Sequence, residues 1–156
     1  MRRSFRRTSI SQNLHRQADD EGAAEAALRH GLVRSPKAAA LHHSLGLSLI
    51  RQRDRAQATK EFAIAAQLDP GNARYAYVYG VALHDTGQPA KAREVLAAAI
   101  TRQPFDRELL LVLAQYASEA GDREAAKRYV ARLREVEPDD PRYARLAAQI
   151  EEARAR

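Results

Sequence analysis

Small and large apolar residues recur along this chain with a single period. Gly46, Gly80 and Ala114 lie 34 residues apart; each follows a large residue (Leu45, Tyr79, Leu113) and precedes, by three positions, Leu49, Leu83 and Ala117. Ala24, Ala58, Ala92 and Ala126 repeat at the same interval, as do Leu28, Phe62, Leu96 and Val130, and also Pro36, Pro70, Pro104 and Pro138. Within a unit, Leu45 with Leu49 and Phe62 with Ala65 and Ala66 fall at helical three- and four-residue spacing, which lays one apolar stripe on each of two helices. A unit of this length holds two helices of about 14 residues and two short turns. The glycines let the paired helices approach closely, the alanines offer a matching small surface, and the prolines end each second helix. Gly121-Asp122, Gly87-Gln88-Pro89, Asp106 and Asp140 supply stops and caps in the same phase. Helices are expected at roughly 18–33, 37–51, 55–68, 72–85, 89–102, 106–119, 123–136 and 141–154, and no strand is required.

The series Leu45-Gly46, Leu49, Ala58, Phe62, Ala65, Pro70, followed by Tyr79-Gly80, Leu83, Ala92, Leu96, Ala99, Pro104, resembles the tetratricopeptide-repeat (TPR) family over about residues 18–154. The third unit keeps the register through Ala126, Leu133 and Pro138, although Ala114 and Ala117 replace the small and large residues. His42, Ala76 and Leu110 stand where the family has tryptophan. The resemblance implies an all-α fold, a TPR-like right-handed α-α superhelix of antiparallel helical hairpins. Residues 1–17 then form a basic arm, 18–36 a half repeat, 39–72, 73–106 and 107–140 full repeats, and 141–155 a capping helix with charges outward.

Composition narrows the chemistry. Alanine and leucine dominate the apolar set while aromatics are only 6%, which favours helix. The chain has no cysteine, so disulfides, cysteine-zinc sites, thiol catalysis and covalent attachment of haem to this chain are excluded. No apolar run is long enough to span a bilayer. The net charge of +6 is concentrated at the start: residues 1–16 carry five arginines and no acid, which leaves the rest at +1. Arg2-Arg3-Ser4-Phe5 is similar to the start of a twin-arginine export signal, but Thr8 to Gln17 is mostly polar where an apolar run is needed. A cytoplasmic location is expected, with the periplasm the alternative if the chain is part of an exported protein. High alanine and arginine usage points to a bacterial source.

In a TPR array the first helices line the concave face, so the resemblance places a candidate peptide-binding site on the side of each first helix opposite its buried stripe. That side offers His43, Leu47, Ile50 and Arg51, then Arg74, Tyr77, Val78, Val81 and His84, then Glu108, Leu111, Val112 and Gln115. This apolar content marks an interaction surface. The members that bind the acidic tails of chaperones use lysine, asparagine and arginine where this chain has His43, Leu47, Val78, Glu108 and Val112, so tail binding of that kind is not expected. His42-His43 and His84-Asp85 lack a third ligand or a nucleophile; no metal, cofactor or catalytic residue is assigned. Glu61, Glu94 and Glu135 are expected on solvated outer faces.

The expected function is a scaffold that binds a peptide or helix of another protein. One alternative is self-association into a homo-oligomer; another is service as the C-terminal TPR part of a larger redox or membrane-associated protein. The distant alternative is nucleic-acid or anionic-surface binding through the arginine-rich arm.

Overall fold

The structure, a computed structural model, describes residues 20–152; the basic arm lies outside the described residues. Eight helices follow in order among them: α1 over 20–34, α2 Ala39–Arg51, α3 Arg55–Leu68, α4 Ala73–Asp85, α5 Pro89–Arg102, α6 Arg107–Glu119, α7 Arg123–Val136 and α8 Pro141–Glu152. None is long and apolar enough to cross a membrane. The chain divides into two compact units, Met1–Leu68 and Asp69–Arg156.

In the first unit α2 and α3 pack as a hairpin around Leu45, Leu49, Ala58, Phe62 and Ala65. Helix α1 is tied to α2 by Arg51, which donates to Glu21 at 2.7 Å, and by Gln52, which donates to Glu25 at 2.7 Å. The second unit contains the hairpins α4–α5 and α6–α7, with α6 also packed on α4 and α5, and α8 packed on α7. Its core runs through Leu83, Leu96, Leu109, Leu110, Leu113, Leu133 and Tyr143.

The small positions have a steric cause. A Cβ placed on Gly46 would sit 2.4–2.9 Å from the Phe62 ring, and one on Gly80 would sit 2.6–2.9 Å from the Leu96 side chain. At the third equivalent position the small residue is Ala114, and the residue facing it from the second helix shrinks to Val130; both are buried in one cluster. The volumes at these paired positions therefore compensate from repeat to repeat.

The hairpin turns also repeat in detail. Asp54 donates to Leu49, Gln88 to Leu83 and Asp122 to Ala117 through backbone N–H groups, each at 2.9 Å. The residue before each donor has a positive φ: 66° at Arg53, 79° at Gly87 and 76° at Gly121. This is the left-handed cap that glycine adopts without steric penalty, and Arg53 adopts it at a cost. Replacing Arg53 with glycine should therefore stabilise the first unit by about 0.5–1 kcal/mol in denaturant titration. Helices α6 and α7 begin on side-chain caps: Asp106 accepts from the Leu109 N–H at 2.9 Å and Asp122 from that of Ala125 at 3.0 Å.

Glu61 corrects the expectation of a solvated outer face. It is only 20% exposed, and its Oε2 lies 2.7 Å from Nδ1 of the buried His42, whose Nε2 lies 2.9 Å from the Pro36 carbonyl oxygen. Positions 34 and 68 residues on from Glu61 hold Val95 and Tyr129, both packed against the core. A hydrogen-bonded polar pair thus fills in the first unit the place that apolar side chains fill in the second.

Candidate functional site

In the second unit the first-helix face opens into a hollow of about 550 Å³ framed by α4, α6 and α8. Tyr77 from α4 and Leu111, Val112 and Gln115 from α6 line it, with Arg107 and Glu108 at the start of α6. Leu111 is 44% exposed although it is a large aliphatic residue. The opposite wall is a stripe of α8, Arg142, Arg145, Leu146 and Gln149, with the buried Tyr143 beside it in the lining, while Ile150 is buried away from the hollow. The spacing i, i+3, i+4, i+7 brings those four residues to one face. Three of them lie 34 residues after Glu108, Leu111 and Gln115, and Leu146 lies 34 after Val112. The same register that located the α6 residues therefore also pointed to these; treating α8 as a cap with its charges in solvent concealed them.

Most of the charged groups at the rim are already paired. Arg74 reaches Glu108 at 3.1 Å and lies over the Tyr77 ring, 5.6 Å from its centroid. Arg107 pairs with Glu137 at 3.0 Å, and Glu137 also accepts from the Tyr143 hydroxyl at 3.0 Å. The Arg142 side chain and backbone N–H both donate to Asp140, and they hold that carboxyl down at about 2. Gln115 donates to Glu119 at 2.9 Å.

Of the expected site residues, Tyr77, Leu111, Val112 and Gln115 come together around the hollow. Val112 is corrected in one respect: it is 7% exposed and belongs to the core, so it forms the floor and does not project into solvent. Val81 likewise packs partly against the core, because α6 lies against α4 and covers that side of it. Val78 is half-buried and Arg74 is engaged at the rim. His84 does not line the hollow; its ring stacks on Tyr116 with centroids 3.9 Å apart, and its Nε2 lies 2.9 Å from Glu119. In the first unit, Leu47 and Ile50 are 38% and 41% exposed on one side of α2, Arg51 is held by Glu21, and His43 packs at a tilt on Phe62 with centroids 5.8 Å apart.

Burial, aided by the Asp85 and Glu119 carboxylates, pushes the Tyr116 phenol up to about 12. Folding therefore favours the neutral phenol. Its stabilising contribution is complete below the ordinary tyrosine value of about 10 and is lost as pH rises through about 12. Burial and the bond to Glu137 push the Tyr143 phenol up as well, so ultraviolet titration should show late-ionising tyrosine, and Tyr116→Phe should remove the step near 12.

Comparison with known proteins places this arrangement. The family model described as the cytochrome c-type biogenesis protein H TPR domain matches residues 8–143. The chain belongs to this TPR family. A TPR repeat-containing protein of Pseudomonas aeruginosa is 36% identical over 107 residues, 65% of this chain; the match spans 42% of that relative's length. Among solved structures, the MamA protein superposes on the TPR domain with a TM-score of 0.77 at 17% identity, covering 92% of this chain and 78% of that one. YrrB, described as a TPR protein with an unusual peptide-binding site, gives a TM-score of 0.74 at 20% identity, covering 92% and 74%. These structural likenesses establish the TPR solenoid as the fold.

Proposed function

We propose that this TPR domain holds a segment of another polypeptide in the hollow between α4, α6 and α8. The observation that carries the proposal is the combination of an apolar floor, Leu111, Val112 and Leu146 with the Tyr77 ring, and a polar rim along α8. A concave apolar site with a few placed polar groups is what a bound chain needs for both affinity and orientation. The peptide-binding site for which YrrB is described supports the same use of the fold. The family's description supports a polypeptide handled during the biogenesis of c-type cytochromes as the occupant.

Selection of a randomised dodecamer display library on the whole chain tests this. Leu111→Glu places a charge on the exposed part of the floor and should lower the affinity of selected peptides by at least about tenfold while leaving the helical circular dichroism unchanged. Equal binding by both forms would refute the assignment.

Self-association is the second reading, and it is favoured by the exposed Leu47 and Ile50, one helical turn apart on α2. Light scattering decides it. A dimer converted to a folded monomer by Leu47→Glu with Ile50→Glu would support it, and a monomer in both cases would remove it.

A further inference from the structure

The residues that frame the hollow change character across it. At 34-residue intervals one lining position runs Tyr77, Leu111, Arg145, and the place that Val81 holds on α4, packed partly against the core, is taken in the lining by Gln115 and Gln149. The α4 side is therefore aromatic and aliphatic, and the α8 side offers a guanidinium and an amide. Of the charged lining residues, Arg107, Arg142 and Glu108 are engaged with Glu137, Asp140 and Arg74 respectively. Arg145 lines the hollow and has no ion-pair partner among the described residues. The lining has three arginines against one glutamate, and this excess is positive.

Resting on the reading of the hollow as a polypeptide site, we infer that the segment it takes is amphipathic along its length, apolar over α4 and α6 and acidic over α8, where an aspartate or glutamate side chain pairs with Arg145. Gln149, four residues further along α8, supplies an amide donor on the same face. A guanidinium–carboxylate contact beside an apolar floor is stronger than a neutral hydrogen bond, and it fixes the direction in which the segment lies. The chain's own residues 1–16 have the wrong sign for this place, with five arginines and no acid. A phosphate-bearing ligand would leave the Leu111, Val112 and Leu146 floor unfilled and would meet Glu108 at the rim.

The test uses a randomised dodecamer library whose C termini are fused to the carrier, so that only side-chain carboxylates are offered. It is selected on the whole chain, on Arg145→Glu and on Leu111→Glu. Wild-type selection should enrich peptides in which an acidic residue follows apolar ones. The best of these, synthesised with an amidated C terminus, should bind about tenfold more weakly to Arg145→Ala, and more weakly as salt rises. Arg145→Glu should select lysine or arginine at the same place. Selected peptides that need Leu111 but carry no acidic residue, or that bind Arg145→Glu unchanged, would overturn the acidic preference and leave the polypeptide site standing. Peptides indifferent to both substitutions would overturn the site as well. A chain that selects no peptide and dimerises through Leu111 would assign the hollow to a second copy and overturn the inference.

Discussion

Replacing Gly46 with alanine should destabilise the first unit by about 2 kcal/mol, and replacing Phe62 with valine at the same time should add little to that loss although valine alone is costly. The added Cβ would lie 2.4–2.9 Å from the Phe62 ring, which is itself buried. Overpacking of this kind costs about 1–3 kcal/mol and here sits at the upper end; the better helix propensity of alanine returns about 1 kcal/mol. Phe62→Val alone leaves a cavity and should cost about 2–3 kcal/mol. The double variant reproduces the Ala114 and Val130 pair of the third repeat, so its cost should fall short of the sum of the singles by about 2 kcal/mol. Urea titration of the four forms measures this coupling. Simple additivity would show that the two positions do not share the volume.

His42→Ala should cost about 2 kcal/mol. It removes a ring that occupies both the Glu61 carboxylate and the Pro36 carbonyl oxygen, and leaves both acceptors in a partly buried place. Glu61 retains some exposure, which keeps the loss below that of a fully enclosed ion pair. Substituting both residues tests the physical reason. His42→Leu with Glu61→Tyr installs the Leu110 and Tyr129 combination found two repeats further on, and should restore stability to within about 1 kcal/mol of the native chain. A double variant as unstable as His42→Ala would mean that the surrounding packing in α2 and α3 is specific for the polar pair.

The hairpin architecture was legible because its causes are local and periodic. The proximity of Gly46 to Phe62 and of Gly80 to Leu96 is written in residue sizes at fixed spacing, and the prolines and Gly87 and Gly121 mark the turns. Arg53 escaped notice because nothing in an arginine announces a positive φ; only its place 34 residues before Gly87 does so. The site was half legible. Periodicity identifies the face of α6 that carries Leu111 and Gln115, but it does not say which neighbour covers the edge of that face, so Val112 was placed in solvent when it belongs to the core. The wall formed by α8 was missed for the converse reason. Arg142, Arg145 and Gln149 are polar, and polarity on a last helix is normally a matter of solubility, whereas the repeat register puts these side chains beside α6. His42 and Glu61 show the same limit: two polar residues satisfied by each other leave no trace in a pattern of apolar positions.

A foreign polypeptide lying in the hollow between α4, α6 and α8 would be within reach of side chains on α6 and out of reach of the exposed face of α7. Site-specific photocrosslinking tests it most directly, with a benzophenone side chain at Gln115, which lines the hollow, or at Arg128, an exposed position on α7 outside it. With a library-selected peptide added, covalent adducts are expected from position 115 that disappear in the Leu111→Glu background, and none from position 128. Adducts from position 128 alone, or equally from both, would contradict it.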